Sequence, residues 1–373
     1  FVPLRKLLAS MTPAQRTRHA ELTQQFDSLL VIQRGLDQKK RSKIYTVTAR
    51  QPTQMKVHIR GGVTHYGPIV APGGVAAVPG LTADFQLPAD ASDQDRRRKL
   101  ADWITSPKNA LFARVIVNRV WHYHFGQGFV TTPSDFGFNG GQPSHPQLLE
   151  WLVSRFVEDK YRLKALHRRI VLSSTYRQGS VPSPAGLAAD AGNRLLWRVA
   201  PRRVEGEVLR DSILAVSGQL NPQRGGPGFE DVSITPNNGT TYYEANDRDD
   251  PDLDRRTIYR FTPRGGRTAI LDTFDCPDPS AAAPTRNVTT TPLQALSLLN
   301  NSFVLRMADR FAARVTQQAG DDLSRQVTGA WQLAIQRDPD AREFKLSLDL
   351  VRRHGLAALC RALFNINDFV IIE

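Results

Sequence analysis

Residues 110 to 125, ALFARVIVNRVWHYHF, place apolar side chains on almost every side of a helical wheel. A helix of this kind has no solvent face to spare, so the spacing predicts that it is largely buried and that other helices pack around it. Arg119 and His122, three apart, fall in the sector that also holds Leu111, Phe112 and Val115. A guanidinium in that setting needs a partner, because an unpaired buried charge costs several kcal/mol or more. Asp135, Asp272, Asp275 and Glu207 are the candidates. Trp121, Trp151 and Phe125 are expected in the core.

Other helical segments surround this one. Residues 12 to 36 read as one long helix with Thr12 as N-cap, Pro13 in the first turn and Gly35 near the end. DRRRKLADWIT leads to Pro107, and the 110–125 helix stops at Gly126-Gln127-Gly128. In SHPQLLEWLVSRFVED, Ser144 and Gln147 are spaced as a capping box, with Pro146 in the first turn. LKALHRRIVLSS and RRVEGEVLRDSILAVSG follow, the latter read as one helix ending at Gly218. A second capping box, Thr291 to Gln294, opens TPLQALSLLNN, and helices are expected near 302–318, 321–337, 340–354 and 356–364. Strand-like alternation is confined to IYTVTA and MKVHIRG, within a turn-rich stretch from 44 to 85, and to RRTIYRFTP, while residues 219 to 256 read as loop.

The reading is therefore mainly α: a multi-helical domain with a small β-rich N-terminal segment, α+β overall. Its divisions are 1–43, a helix and linker ending an upstream domain; 44–90, the β-rich segment; and 91–373, the helical domain.

At 373 residues the chain can bury a large core, and with 40% hydrophobic and 23% charged residues it reads as globular. No apolar run approaches the roughly 20 residues of a membrane span. FVPLRKLLAS is not a signal peptide, and without an initiator Met the chain is expected to be a mature or excised piece. Cys276 and Cys360 lie in no CxxC or CxxCH pattern, so no haem attachment or zinc ribbon is encoded. An excess of 49 basic over 36 acidic residues gives +13, which favours acidic partners. GxSxG, HExxH, Walker and dinucleotide motifs are all missing.

Charged residues on the predicted helices supply the candidate site. Arg203, Glu207, Arg210 and Asp211 share one helical sector, where Glu207 and Asp211 could form an acid/base or metal-binding pair or belong to a salt-bridge ladder. His122 and His124 point to opposite sides, against a shared metal. His145 stands at a helix entrance, as a cap or an anion contact. The alternating aspartates of DDPDLD (249–254) lack the glycine and distal Glu of a calcium loop, and a solvated acidic loop is the expectation.

Several stretches together resemble a known family: ARVIVNRVWHYHFGQGFVTTPSDFG, PSHPQLLEWLVSRFVEDKYRLKALHRRIVLSSTYRQ, RRVEGEVLRDSILAVSGQL, RRTIYRF, LDTFDCPDP, TTTPLQALSLLNN and GLAALCRALFNINDF. From about residue 96 to 373 the chain is similar to the planctomycete-specific, cytochrome-associated C-terminal domain of unknown function number fifteen fifty-three. The resemblance implies a periplasmic, cell-envelope or secreted setting and a c-type haem on an upstream or partner domain, with no cofactor in this chain. It implies no reaction. Carried over by position, its recurrent polar residues are Asn118, Arg119, His124, Asp135, His145, Arg177, Arg203, Glu207, Arg210, Asp211, Asp275, Arg286 and Gln294. His122 departs from the family's more usual polar residue there, which counts against it as a reaction centre.

From residues and resemblance together, one cleft is expected. Arg119, His124, Asp135, Glu207, Asp211 and Asp275 are its candidate catalytic groups, and His145, Arg203, Arg210 and Arg286 its substrate contacts, without a metal. The function expected of it is binding or processing of an anionic polysaccharide, with an oxidative step coupled to a c-type cytochrome as an extension. The alternatives are a non-catalytic docking module of a larger envelope protein and nucleic-acid binding through basic surface.

Overall fold

The computed structural model describes residues 11–40, 46–88, 90–237, 240–266 and 268–372. About 50% of it is helix and 8% strand, and its sheets are two-stranded, so the chain is mainly α with a small β portion. Two compact units are present, Phe1–Thr53 with Ser92–Gln94, and Gln54–Ala91 with Asp95–Glu373.

In the first unit, α1 (Pro13–Lys40) begins at a capping box. The Thr12 N–H donates to Gln15 Oε1 (2.9 Å), and the Gln15 N–H returns to Thr12 Oγ1 (3.3 Å). The helix continues through Gly35, further than the sequence suggested, because no proline or competing cap follows.

The second unit opens with an antiparallel hairpin, β1 (Met55–His58) and β2 (Tyr66–Val70), in which Met55 faces Val70. IYTVTA was expected to be a strand; residues 44 and 45 lie outside the described residues, and 46–49 are not strand. In α2 (Asp93–Thr105), Trp103 donates to the Thr82 carbonyl at 3.0 Å and lies so close to Gly74 that a Cβ there would approach its ring to 2.5 Å.

Helices α3 (Ala110–Phe125), α4 (Pro146–Glu158) and α5 (Leu163–Val171) bury one core. Val117, Trp121, Leu149, Leu152, Phe156, Leu166 and Ile170 meet there, and Trp121 stacks on Phe125 and Phe129 at 4.2 Å each. Asn109 caps α3 by accepting from the Leu111 and Phe112 N–H groups, and Gly126 ends it at φ 79°. Asn118 is fully buried and holds both backbone groups of Val130, each at 2.9 Å. Trp151 is 48% exposed, contrary to expectation. The buried stripe of α4 is Leu149, Leu152 and Phe156, and Trp151 falls on its flank under Arg155. Ser144 forms no cap either: His145 takes the N-cap position, and the Ser144 hydroxyl bonds the His145 ring at 3.0 Å.

After α6 (Pro184–Asp190) the chain departs from the expected helix. Arg202 and Arg203 form β3, paired with β6 (Ile371–Ile372) at the other end of the unit, and α7 starts only at Gly206 (Gly206–Ser217). The Val204 N–H donates to Val370 O at 2.9 Å, so long-range pairing overrides local helix preference. The segment read as loop contains a hairpin, β4 (Val232–Asn237) with β5 (Thr240–Ala245). Conversely, RRTIYRFTP is no strand: Thr257–Tyr259 form a 3₁₀ turn, because the Thr257 N–H is taken by the Asp211 carboxylate.

A second core joins α7 to α8 (Ala269–Thr273), α9 (Pro292–Asn300), α10 (Ser302–Ala319), α11 (Leu323–Ile335), α12 (Ala341–His354), α13 (Leu356–Leu363) and α14 (Asn367–Val370). Leu209, Ile213, Phe311, Leu359 and Phe364 are at its centre. The Thr291–Gln294 capping box forms as the spacing predicts.

Candidate functional site

β3 carries its two arginines into a cleft of about 620 Å³. One wall is the C-terminal end of α3, with His122, Tyr123 and Phe125; the opposite wall is Phe274, Asp275 and the Arg286–Val288 loop, with Glu205 and Val208 between them. Four of the ten expected residues converge on this place. Arg203, Asp275 and Arg286 line the cleft, and Glu207 stands behind Arg286.

Arg203 donates through Nη1 to Gln294 Oε1 (2.6 Å) and Thr289 O (2.9 Å), with its guanidinium 5.2 Å over the Phe274 ring. Its buried Nε has no partner among the described residues. Burial lowers its pKa against the nearby Asp275 charge. Asp275 occupies the left-handed region at φ 59°, which non-glycine residues rarely adopt. What offsets that cost is a set of donors on its carboxylate: the Thr289 N–H (2.8 Å), the Thr289 hydroxyl (2.9 Å) and Gln294 Nε2 (3.3 Å). Gln294, 1% exposed, is thus the joint between Arg203, Asp275 and the Thr273 carbonyl.

Arg286 grips Glu207 through two bonds of 2.7 and 2.8 Å and lies 3.4 Å from Glu205. Burial alone would raise the Glu207 pKa, but the Arg286 bonds outweigh it and hold the carboxyl below its usual range. Cys276, 3.6 Å from Glu207, has its thiol pushed up to about 11 by burial and then by the Glu207 charge, which disfavours the thiolate.

Two cleft residues were missed or discounted in the sequence. His122, discounted on the resemblance, is the α3 histidine that faces the cleft. Burial lowers its pKa, with Glu205 opposing and Arg119 adding. Arg202 was not singled out because its place depends on pairing with Ile372, which no local pattern reveals. It donates to the Tyr123 carbonyl at 2.5 Å, and among the described residues no carboxylate lies within ion-pair distance of it.

The other six expected residues are elsewhere, each with partners of its own. Arg119 bonds the Ser134 hydroxyl (3.0 Å) and pairs with none of its four expected carboxylates; it is only half-buried, so the full cost of an unpaired buried charge does not apply. Asp135 is exposed and accepts from the Gly137 N–H, organising its own loop. His124 meets His167 at 2.8 Å. His145 lies against Ser144 and the edge of Phe129.

Arg210, 6% exposed, donates to the carbonyls of Leu253 (2.6 Å) and Arg255 (3.0 Å) and to Thr257 Oγ1 (3.2 Å). Asp211 accepts from the Thr257 N–H and hydroxyl, both at 2.7 Å. The suggested Glu207–Asp211 pair is therefore divided between different partners. DDPDLD is largely exposed or half-buried, as expected of a solvated acidic loop, and its charges make surface pairs: Asp249 with Arg310, and Asp250 with Arg248 while it caps the turn at Pro251. No group of three His, Cys, Asp or Glu among the described residues is arranged to hold a metal ion.

Residues 96–351, which contain the α3 wall, both arginines of β3 and the Asp275/Arg286 wall, match the family model described as PSD1, protein of unknown function (DUF1553). The chain belongs to this family. No curated protein and no solved structure matches it. Membership in PSD1 brings no activity with it, so the chemistry of the cleft has to be argued from its own side chains.

Proposed function

We propose that the Arg202/Arg203/Arg286 cleft binds an acidic saccharide. One observation carries the reading: Arg203 and Arg286 have carboxylates beside them, whereas Arg202 has none in ion-pair range among the described residues, leaving a guanidinium for an anionic ligand group. The apolar surfaces of Phe125, Phe274 and Val288 suit a sugar face, and Asp275, His122 and Asn287 supply acceptors and donors for hydroxyls.

In the fuller proposal the protein is periplasmic, envelope-bound or secreted, and a c-type cytochrome domain or partner accepts electrons from an oxidation of the bound saccharide. Cys276 and Cys360 are not spaced for haem attachment, so the haem would belong to that partner. This chain's part would be to hold and orient the sugar. No described helix is long and apolar enough to cross a membrane.

The test is a low-salt calorimetric titration with oligogalacturonate, a neutral oligosaccharide of equal length, and duplex DNA. Saturable binding of the acidic sugar, reduced about tenfold or more in Arg202→Ala at unchanged stability, is expected. Equal binding of the neutral sugar, or none of either, ends the proposal, and salt-sensitive DNA binding would replace it with a nucleic-acid function. A non-catalytic docking module is the second reading, favoured by the pairing of Glu207 with Arg286 and by the Asp275 charge close to Arg203. It expects no saccharide binding at all.

A further inference from the structure

His124 and His167 come from two different helices, α3 and α5, whose positions are fixed by the shared core of Val117, Trp121, Leu166 and Ile170. Nε2 of His124 lies 2.8 Å from Nδ1 of His167, with the ring centroids 5.0 Å apart and the planes at 68°. The Tyr176 ring stands edge-on against His124 at 5.5 Å and backs it from the protein side. Only one proton can lie between the two nitrogens, so one ring donates and the other offers its lone pair.

We propose that this pair is a bis-imidazole site for a divalent transition metal, with the ion taking the place of the shared proton and the donating ring carrying its proton on its other nitrogen through exchange with water. Metal–nitrogen bonds of about 2.0 Å place two neighbouring ligands about 2.8–3.3 Å apart, a span that the 2.8 Å hydrogen-bonded separation already approaches. Imidazole ligands hold Cu²⁺ most tightly among the divalent first-row ions, so Cu²⁺ is the ion expected.

Binding requires the rings to turn until both lone pairs meet at the ion. His167 is exposed and His124 half-buried, so that motion meets little packing and water can fill the remaining positions. Two further features bear on the ion. His124 is in the last turn of α3, where the carbonyl end of the helix favours positive charge. Burial, then the His167 and Arg202 charges, lower the His124 pKa from its usual value. The Arg202 charge acts against a cation, so the site is an open chelate rather than a closed structural one.

Equilibrium dialysis of the full untagged chain against Cu²⁺, Ni²⁺ and Zn²⁺ salts, one at a time, tests the proposal. One Cu²⁺ equivalent is expected, with an electron paramagnetic resonance spectrum of tetragonal form coupled to two nitrogens. His167→Asn, at an exposed position that tolerates replacement, should weaken it at least about tenfold. An unchanged affinity in His167→Asn, or a spectrum without two nitrogen couplings, would mean ions held adventitiously by other side chains and would overturn the site.

Discussion

Arg203 and Arg210 lie seven positions apart, yet the molecule uses them in opposite ways. Arg210 is enclosed: two carbonyls and a hydroxyl accept from it, and Phe229 and Phe303 lie 5.2 and 5.5 Å from its guanidinium. It fastens the 253–257 segment to α7. Arg203 is a half-open counterpart, tied by one nitrogen to Gln294 and Thr289 while its stem lines the cleft. The difference teaches that a buried arginine is not by itself a sign of a reaction centre. What distinguishes the two is whether the accepting atoms close around the whole group.

Breaking the enclosed side should have the largest effect. Arg210→Met leaves the Leu253 and Arg255 carbonyls buried without their donor, and a loss of about 3–5 kcal/mol is expected in urea denaturation. Arg203→Met should cost about 1–2 kcal/mol, since its Thr289 acceptor is exposed and Gln294 Oε1 keeps the Thr291 N–H as a donor. Equal losses would dissolve the distinction. Asn118 belongs with Arg210 in this comparison. Asn118→Leu, which strips both partners from Val130 in the core of α3, should cost about 2–3 kcal/mol by the same measurement.

Much of this architecture was legible locally. The helices at 110–125, 302–319 and 341–354 follow from apolar spacing and from caps a few residues away, and Thr291 with Gln294 needs only its own turn. The site was less legible, because its key positions depend on distant chain. Arg202 and Arg203 enter the cleft through pairing with Ile372 and Ile371, and a helical wheel drawn through them groups Arg203 wrongly with Arg210. The α3 wheel separated His122 from His124, but it could not say which side was hollow. Asp211 was visible as a charge, while its partner, the Thr257 backbone, was concealed in a segment read as strand.

Acid should sharpen the contrast within the cleft. Glu207 has a folded pKa below its ordinary value, because the Arg286 bonds outweigh burial. The pair's stabilisation is therefore complete above the unfolded carboxyl pKa and is lost as pH falls through the folded one. Solvent screening keeps it to about 1 kcal/mol. Glu207→Gln should lower stability by that amount at pH 7 and match the wild type at the acid end. A difference that persists in acid would assign the effect to packing against Cys276 instead of charge.

The smallest effect is expected where the sequence argument was most insistent. Arg119 was required to have a carboxylate, and it has only the Ser134 hydroxyl, with its Nε buried and unpartnered among the described residues. Methionine of similar reach keeps the stem packed on α3, removes the unsatisfied nitrogen and forfeits one neutral acceptor's bond. These contributions oppose one another, so Arg119→Met should change the unfolding free energy by less than about 0.5 kcal/mol in either direction. A loss as large as that of Arg210→Met would mean that Arg119 has a partner in solution that its half-exposed position conceals, and the line between enclosed and open arginines would have to be redrawn to include it.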